Sequence, residues 1–500
     1  MSQQRFQLES LILDASKPEP LFRQLESRLR EAIWSGHLKS GERLPSSRNL
    51  AKELKVSRNT VINAYEQLAI EGFIVSQKGS GTHVNQSFPQ QVVTPPSSKQ
   101  NHHEAKKPLI AERIQRLHQL GFTGSLTDDT PPRPFRAHTT ALKEFPSEIW
   151  TQLTTRTLRN QAHDLMTKCH PCGYLPLRQA IAGYLGAARG MQVDPRQIMI
   201  TAGAQQGVEL LAKVLVNNGD LVCFEEPGYT PALATFSMAG AETFSIPVDK
   251  QGFNVSKLIA KKKNVKLIYL TPASHFPLGM TLSQSRRQAL LQWAEQHNTL
   301  IIEDDYNGEY RYHGRPLPTL FAMSQKGQVL YVGSFSKLLF PALRLGFIVI
   351  PETLVGPLST LRWLLDRHSP PLEQAVLAEF INQGHFARHL RRMRALYSER
   401  QQTLIDASHN HLADIIDVPS LDGGLHLIGW LRQNVRLEDL LNAATKARIE
   451  LMATSLFYTA VQKQASVILG YAPYSTVEIV QGIIALRNAY HAEKKMMYHS

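Results

Sequence analysis

The sequence of 500 residues predicts a multidomain protein, in which a small α+β domain precedes a large α/β domain with a mostly parallel sheet. Three observations support this prediction. Near the N-terminus, apolar residues recur with helical spacing before two short strand-like runs. Residues 85–108 are rich in Pro, Gln and Ser and poor in apolar side chains. Beyond Phe135, apolar strand-like runs alternate with helical segments, a pattern typical of parallel sheets.

The composition narrows the classes of protein to which the chain can belong. Its net charge of +13 and its pI near 9.5 favour a polyanionic partner such as nucleic acid. The chain has three cysteines, which are too few for disulfide bonds to stabilise a protein of this size. A reducing, cytoplasmic location is therefore expected. No apolar run approaches the ~20 residues of a membrane span, and residues 1–14 lack the apolar region of a signal peptide.

Cys169 and Cys172 form a C-x-x-C motif, which occurs in redox sites and in zinc sites. The other cysteine, Cys223, lies in an apolar strand-like run, and the sequence offers no second ligand pair. We therefore expect neither a metal site nor a redox function at this motif.

The first seventy residues predict three helices. Apolar residues recur every four positions from Leu21 to Ile33, which predicts the first helix. Ser46 and Ser57 are suitable N-caps for two further helices, and the last of these keeps helical spacing until Gly72.

Two short strand-like runs follow, at residues 73–75 and 82–84, on either side of a glycine-rich turn. This order predicts a winged helix-turn-helix. The third predicted helix carries Arg58, Asn59 and Thr60 at its N-terminal end, away from its apolar face. Donors at that position can reach base edges and phosphates in a DNA groove.

Residues 85–108 are too polar to form a core, and they predict a flexible tether. A short helix is expected after the tether, before Gly121. The large domain then shows five apolar runs that predict buried strands and two windows that predict helices. The strands are expected at 198–201, 220–224, 265–270, 299–305 and 328–333, and the helices at 203–215 and 285–297.

Polar and aromatic residues follow four of these predicted strands, where the active groups of a parallel sheet gather. Together they offer a helix N-terminus for a phosphate, an aromatic ring, a carboxylate and an amine. Pyridoxal 5'-phosphate needs this combination, since its aldehyde binds a lysine and its ring nitrogen binds a carboxylate. The candidate residues are Gly203, Ala204, Gln205, Tyr229, Asp304, Tyr306, Ser334, Ser336, Lys337 and Arg344.

Residues 44–82 resemble the winged helix of GntR-type regulators over nearly their whole length. In that family, an arginine of the second helix and the start of the third helix contact DNA. The resemblance therefore implies that DNA is contacted by Arg48, Ser57, Arg58, Asn59 and Thr60 on the helices, and by Lys78 and Gly79 at the wing.

The segments LIIEDDYNGEYRY (300–312) and YVGSFSKLLFPALRLGF (331–347) resemble the fold-type I aminotransferases, and this resemblance covers residues 135–500. A GntR-type winged helix joined to such a domain defines the MocR regulators, which include GabR-like and PdxR-like proteins. The implied domains are a winged helix at 1–84, a linker with a short helix at 85–130, and an aminotransferase-like domain at 131–500. A smaller C-terminal α+β subdomain is expected from about residue 366 to 500.

The resemblance also implies a role for each candidate cofactor residue. Lys337 would bind pyridoxal 5'-phosphate covalently, Asp304 would hold its ring nitrogen protonated, and Tyr306 would bond its phenolic oxygen. Tyr229 would stack on the ring. The phosphate would be bound by Ser334, Ser336 and Arg344 together with the amides of Ala204 and Gln205.

The sequence departs from the aminotransferase pattern at several positions. Phe276 stands where aminotransferases usually have an asparagine, and Ile468 stands where they have the arginine that binds the substrate α-carboxylate. His138 and Thr140 replace a glycine and a proline expected beside the substrate. The role of His275 is open between a functional group and a loop-packing histidine.

These observations favour a homodimeric transcription regulator whose aminotransferase-like domain senses a small molecule and thereby alters DNA binding. The alternative is a working aminotransferase with an appended DNA-binding domain. For the effector, Ile468 favours pyridoxal 5'-phosphate itself. The second candidate is an amine or ω-amino acid whose carboxylate is bound by another arginine, such as Arg362 or Arg367.

Overall fold

The computed structural model describes residues 13–77, 80–86, 110–119, 133–137, 139–167, 169–314, 318–324 and 326–497. The chain divides into two compact units, Met1–Leu109 and Ile110–Ser500. No helix in these described ranges is both long and apolar enough to cross a membrane.

The first unit is a winged helix-turn-helix, as predicted. Its second and third helices begin with serine caps, because the Ser46 Oγ accepts the N–H of Asn49 and the Ser57 Oγ accepts the N–H of Thr60. Gly72, with a φ of 79°, ends the third helix. The elements are α1 (Leu21–Trp34), α2 (Ser47–Glu53), α3 (Arg58–Ile70), β1 (Ile74–Gln77) and β2 (Gly81–Val84).

The apolar faces of these three helices and the wing enclose one small core. Leu25, Val61 and Leu68 are fully buried in it, and the Tyr65 hydroxyl donates a hydrogen bond to the Pro45 carbonyl at 2.9 Å. The strands β1 and β2 pair in antiparallel register, with Ile74 opposite Val84. This core holds the start of α3 in a fixed orientation relative to the wing strands.

The large unit contains an eight-stranded sheet in the order β3-β10-β9-β8-β7-β4-β5-β6. Strands β4, β5, β7, β8 and β9 run parallel, whereas β10 is antiparallel to both β9 and β3. The predicted mostly parallel sheet is therefore confirmed. The strands are β3 (Ile198–Thr201), β4 (Leu221–Glu226), β5 (Glu242–Asp249), β6 (Gly252–Phe253), β7 (Leu267–Leu270), β8 (Leu300–Asp305), β9 (Val329–Ser334) and β10 (Gly346–Val349).

All five predicted strands appear in this sheet, and α7 and α10 match the two predicted helical windows. The helix expected before Gly121 is α4. The helices are α4 (Glu112–Gln119), α5 (Ser147–Leu165), α6 (Leu175–Arg189), α7 (Ala204–Leu215), α8 (Thr230–Met238), α9 (Val255–Ala260), α10 (Gln284–Gln296), α11 (Leu320–Met323), α12 (Glu352–Leu365), α13 (Pro371–Asn382), α14 (His385–Leu412), α15 (Leu437–Lys446) and α16 (Thr476–Met497).

A second, antiparallel sheet forms the C-terminal α+β part that the sequence predicts. Its order is β11-β12-β14-β13, and the helices that accompany it in the chain are α14, α15 and α16. The strands are β11 (Ile416–Asp417), β12 (His426–Leu431), β13 (Met452–Ala453) and β14 (Ser466–Gly470). The expected domain limits, including a boundary near residue 366, stay predictions, and the tether falls almost wholly outside the described residues.

The sheet topology gathers the carboxyl ends of several strands at one edge. Strands β4, β7, β8 and β9 are parallel, and β3 points the same way because β10 is antiparallel to both of its neighbours. The residues that follow these five strands therefore meet at one edge of the large sheet, where ligands bind in open α/β sheets.

Candidate cofactor cavity and DNA-binding face

A cavity of about 560 Å³ opens at this edge of the large sheet. Its volume is in the range of small-molecule and cofactor sites. Gly203 lines this cavity, and so do the nine residues for which the resemblance implies a contact with the cofactor. They are Ala204, Gln205, Tyr229, Asp304, Tyr306, Ser334, Ser336, Lys337 and Arg344.

One end of the cavity is suited to an anion. The helix α7 begins at Ala204, so its first backbone amides have no partner within the helix and its positive dipole end faces the same region. The Arg344 guanidinium donates to the Ala202 carbonyl at 2.8 Å and lies about 3.6 Å from where a Cβ would stand on Gly203. The buried Ser336 Oγ has no hydrogen-bond partner among the described residues. A phosphate dianion would satisfy these donors.

Gly203 shapes this end of the cavity. Its φ of 96° lies in the region that side chains rarely adopt, and it forms the N-cap of α7. Any side chain here would strain the backbone and would fill space beside Arg344.

The carboxylate of Asp304 lies at the end of β8 and is 4% exposed. Its Oδ2 accepts a hydrogen bond from the Tyr269 hydroxyl at 2.5 Å, while its Oδ1 has no partner in the described part of the chain. Burial raises the pKa of Asp304 to about 6, although the Tyr269 hydrogen bond lowers it in part. A cationic N–H group beside Oδ1 would stabilise the ionised form.

Two further buried polar atoms in the cavity lack protein partners within the described ranges. They are the Tyr306 hydroxyl and the Gln205 Oε1, although the Gln205 Nε2 donates to the Thr235 hydroxyl at 2.7 Å. Buried polar atoms are seldom left unpaired in folded proteins. The cavity therefore fits a ligand that carries both hydrogen-bond donors and acceptors.

The partly buried side chain of Lys337 follows β9 and also lines the cavity. Burial lowers the pKa of Lys337 to about 8, because the charged ammonium is disfavoured where water is excluded. A larger fraction of this amine is therefore neutral, and so nucleophilic, near neutral pH than for an exposed lysine.

Aromatic side chains surround the middle of the cavity, and Phe276 lies at their centre. Its ring packs edge-on against Tyr229 at 5.5 Å, Tyr306 at 6.0 Å and Phe457 at 4.9 Å between ring centroids. The Phe276 N–H donates to the Thr271 hydroxyl at 2.9 Å. The residue that replaces the usual asparagine thus forms an apolar wall of the cavity.

The sequence prediction missed several residues that line the cavity. Thr230 and Pro231 directly follow the predicted Tyr229, and Thr271 directly follows β7, so their positions could have been inferred. No local signal points to the others, which come from the C-terminal sheet and the 3-10 turn Thr454–Phe457. These are Met452, Leu456 and Phe457.

His275 is a loop-packing residue. Its ring is 1% exposed, Nε2–H donates to the Pro227 carbonyl at 2.9 Å, and Nδ1 accepts the Leu278 N–H at 3.3 Å, an assignment that follows from these partners. Burial lowers the pKa of His275 to about 3, so the ring is neutral at physiological pH. One nitrogen bonds the loop after β4 and the other bonds the loop that carries His275, and the residue does not line the cavity.

Ile468 lies on β14 and is fully buried. It packs with Ala137, Leu278 and Ile428, and the cavity residues Met452 and Phe457 border this apolar cluster. The position at which the sequence comparison predicts a carboxylate-binding arginine is therefore surrounded by hydrocarbon. The other two divergent positions lie earlier in the chain: Thr140 is buried, and His138 is outside the described residues.

The suggestion that Arg362 or Arg367 replaces the missing arginine is wrong for the cavity of one chain, because neither residue lines it. Arg362 is fully buried elsewhere and donates to the Ile200 carbonyl at 2.9 Å and to the Asp366 carboxylate at 2.5 Å. The Arg367 guanidinium lies 4.3 Å above the Trp363 ring centroid.

In the winged helix, the structure describes five of the seven residues predicted to contact DNA. Arg48, Ser57, Arg58 and Asn59 are exposed at the starts of α2 and α3, and Thr60 is half-buried. Lys78 and Gly79 are outside the described residues.

Arg43 is an additional candidate that the sequence prediction missed. It is exposed, forms an isolated β-bridge with His83 of β2, and its guanidinium packs against Gly81 at the start of that strand. No local pattern placed Arg43 on the wing, because its position depends on this long-range pairing.

The cysteines are free thiols. Cys172 is buried with its Sγ 3.2 Å from the Ser359 hydroxyl, Cys223 is buried in β4, and Cys169 is partly exposed. Among the residues that the structure describes, no group of three or more His, Cys, Asp or Glu side chains could hold a metal ion.

Comparisons with known proteins agree with this architecture. Residues 21–84 match the family described as "Bacterial regulatory proteins, gntR family", and residues 139–433 match "Aminotransferase class I and II". The chain is 36% identical over 484 residues to the probable rhizopine catabolism regulatory protein MocR of Rhizobium meliloti, covering 96% of each chain.

The chain is also 31% identical over 422 residues to the pyridoxine biosynthesis transcriptional regulator PdxR of Corynebacterium glutamicum, covering 84% of this chain and 85% of that one. Among solved structures, it is similar to the α-aminoadipate aminotransferase LysN of Thermus thermophilus, complexed with N-(5'-phosphopyridoxyl)-L-leucine. The TM-score is 0.67 at 26% identity, covering 77% of this chain and 96% of that one.

Proposed function

The chain belongs to the MocR-type regulators of the GntR family, which are DNA-binding transcription regulators with an aminotransferase-like domain, and from this premise we propose that its cavity binds pyridoxal 5'-phosphate. We propose further that occupancy of the cavity changes the affinity of the winged helix for promoter DNA. The two sites would then be coupled reciprocally, so that DNA also changes affinity for the ligand.

The observation that carries the proposal is the set of unpaired polar atoms in one cavity. The Asp304 Oδ1, the Tyr306 hydroxyl, the Ser336 Oγ and the Gln205 Oε1 are all buried, and none has a hydrogen-bond partner among the described residues. Each buried polar atom without a hydrogen bond lowers the stability of the folded protein by roughly 1–3 kcal/mol. A ligand with a phosphate, a phenolic oxygen and a basic ring nitrogen has complementary groups for them.

Different residues of the cavity would bind different parts of the cofactor. Arg344 and Ser336 would hold the phosphate at the N-terminus of α7, Asp304 would keep the ring nitrogen protonated, and Tyr229 would cover one face of the ring. When bound, pyridoxal 5'-phosphate supplies an aldehyde that reacts reversibly with amines and a ring that withdraws electrons. The amine of Lys337, whose pKa is lowered to about 8 by burial, would hold the aldehyde covalently.

We propose that pyridoxal 5'-phosphate is itself the effector. In the described part of the cavity, Arg344 and Lys337 are the cationic side chains, and both have roles toward the cofactor. The apolar cluster around Ile468 supplies no charge for an amino-acid carboxylate. A sensor of the cofactor would regulate its supply.

A second candidate effector is an amine without an α-carboxylate. The cavity extends past the candidate cofactor residues to Met452, Leu456 and Phe457, which leaves apolar space beyond the ring. An amine bound there would displace Lys337 from the cofactor aldehyde.

We expect the purified protein to absorb visible light. Lys337→Ala should shift this absorbance to that of the free aldehyde and should prevent fixation of the cofactor by borohydride, because the covalent attachment is lost. Absorbance spectra measure the bound cofactor, and borohydride reduction followed by peptide mapping identifies the lysine to which it is attached. Lys326→Ala, an exposed lysine of the same unit, is the control and should keep its absorbance. Asp304→Asn should weaken retention during dialysis. A wild-type protein that stays colourless with added cofactor would contradict the proposal.

The covalent uptake of cofactor by apo protein should also accelerate as the pH rises through about 8, since the neutral amine of Lys337 is the reacting form. Stopped-flow absorbance measures the rate. A rate that increases only near pH 10, as for an unperturbed lysine, would be inconsistent with the burial of this side chain.

We propose that Arg58 contacts DNA from the N-terminal end of α3, and Arg58→Ala should weaken promoter binding by ~1–3 kcal/mol. Loss of a phosphate contact would in addition reduce the dependence of affinity on salt. Fluorescence anisotropy at several salt concentrations distinguishes a base contact of Arg58 from a phosphate contact. Arg28→Ala removes an exposed charge on α1, paired with Glu31 at 3.6 Å, and serves as the control. Equal losses for both variants would argue against a specific role for Arg58.

One titration distinguishes the two effectors. Promoter affinity is measured with apo protein, with pyridoxal 5'-phosphate, and with the cofactor plus γ-aminobutyrate, taurine or common amino acids. We expect the cofactor alone to change affinity and no amine to perturb the visible spectrum. If the cofactor has no effect while an amine changes both spectrum and affinity, the amine is the effector.

We also propose that the chain forms a homodimer, because α12 presents a contiguous apolar surface. Trp363 is 50% exposed, Leu364 69% and Leu365 48% in a single chain. Sedimentation equilibrium should give twice the chain mass, and Leu364→Lys should reduce it toward the monomer. A wild-type monomer with full cofactor occupancy would contradict this proposal.

A further inference from the structure

Most of the positive charge of the chain lies outside the winged-helix unit. Residues 1–109 hold 15 basic and 10 acidic side chains, whereas residues 110–500 hold 40 and 32. The segment 250–294 contains eight lysines and arginines and no Asp or Glu. Its excess therefore equals the entire net charge of the larger unit, and so much charge of one sign in one segment indicates an anionic partner.

Five of these residues form an exposed surface that we name the lysine face. Four of them lie between the start of α9 and the start of β7, and Lys266 directly precedes β7. This is the amino end of the parallel strands, so the face lies at the sheet edge opposite to the cofactor cavity. The lysine face consists of Lys257, Lys261, Lys262, Lys263 and Lys266, all exposed.

The charges of the lysine face are not neutralised within the described residues, where none of its five ammonium groups lies within 4.0 Å of a carboxylate. Other exposed lysines of the same unit do have such partners, since Lys213 pairs with Glu209 at 2.8 Å and Lys446 with Glu493 at 2.9 Å. Glu295, on the adjacent helix α10, pairs with Lys326 instead.

A groove of about 590 Å³ lies beside these lysines, between α9 and α10. Lys262 and Lys263 form one side, and Gln292, Gln296 and His297 form the other. No acidic residue lines this groove in the described structure. Ammonium groups alongside amide and imidazole N–H donors are the side chains that contact phosphate and sugar in protein–DNA complexes.

The ring contacts hold parts of this surface in place. The His297 ring stacks on the buried Trp293 with ring centroids 4.3 Å apart, and the Lys263 ammonium lies 4.8 Å from the Phe244 ring centroid. Two of the groups that line the groove are therefore positioned before any partner binds.

We propose that the lysine face is a second DNA-binding surface, which contacts the phosphates of duplex DNA outside the segment bound by the winged helix. Duplex DNA is the polyanion that a regulator of this family binds, and its regularly spaced phosphates match a row of unpaired ammonium groups. The contact is independent of sequence, because phosphates carry no base information.

The test is a length series of promoter fragments, with a fixed central site and increasing flanks, bound by the full-length protein. Wild-type affinity should increase with flank length. The triple variant Lys261→Gln, Lys262→Gln and Lys263→Gln should lose roughly tenfold on long fragments and nothing on the shortest. On long fragments, the slope of log K against log[salt] should decrease in magnitude by about 2–3, since each phosphate contact contributes about 0.9.

A matched control removes three exposed charges elsewhere in the same unit, with Arg432→Gln, Arg436→Gln and Lys446→Gln. Each of these side chains pairs with a carboxylate, at 3.3, 3.0 and 2.9 Å. The control should keep the wild-type dependence on flank length. Equal losses for the two triple variants, or losses that do not depend on flank length, would overturn the proposal.

Chemical reactivity gives a second measure that does not depend on affinity. Acetylation of wild-type protein, followed by mass spectrometry, should show Lys261, Lys262 and Lys263 protected by the long fragment, while Lys213 stays reactive. Vesicles of anionic phospholipid and a poly-glutamate peptide are tested in parallel. Protection by either of these without protection by DNA would assign the lysine face to a different partner and would overturn the proposal.

Discussion

Asp304 places a carboxylate inside the large unit, where the Tyr269 hydroxyl is its one hydrogen-bond partner among the described residues. Because burial raises its pKa to about 6, the folded chain is destabilised by keeping this group ionised at neutral pH, by a free energy on the order of 3 kcal/mol. The destabilisation develops as the pH rises from about 4, where an unfolded Asp ionises, to about 6, and it is constant above that pH. A cation beside Oδ1 would reverse it.

The remaining walls of the cavity are arranged around this carboxylate. Arg344 and the start of α7 lie at the anion-binding end, whereas Tyr229, Phe276 and Tyr306 form the aromatic middle. The positive charge of Arg344 and the negative charge of Asp304 thus lie at different places in one cavity. This arrangement orients any ligand that carries both an anion and a protonated ring.

Phe276 also connects the cavity with the C-terminal part of the large unit. Its ring packs on Tyr229 and on Phe457, and the Phe457 carbonyl accepts the Gly228 N–H at 3.0 Å. In a close-packed interior, a ligand that displaces Tyr229 must also displace Phe276 or Phe457. The loop after β4 and the turn after β13 are therefore in direct contact beside the cavity.

The parts of the fold that could be predicted from sequence depend on local or motif-level signals. The caps Ser46 and Ser57 act within one turn of their helices, and the residues around Asp304 and Lys337 follow apolar strands. Strand β10 was not predicted, because nothing within GFIV indicates that it enters the sheet antiparallel between β3 and β9. Met452 and Phe457 reach the cavity through tertiary packing, which has no sequence period. The neutral state of His275 follows from its burial in the fold, which no local pattern indicates.

The apolar cluster at Ile468 has a consequence for protein engineering. An arginine introduced at this single position would place its guanidinium among Ala137, Leu278 and Ile428, where a charge without a partner costs several kcal/mol. A carboxylate-binding arginine could therefore be installed on β14 only together with changes in these neighbours that open space and supply a polar partner.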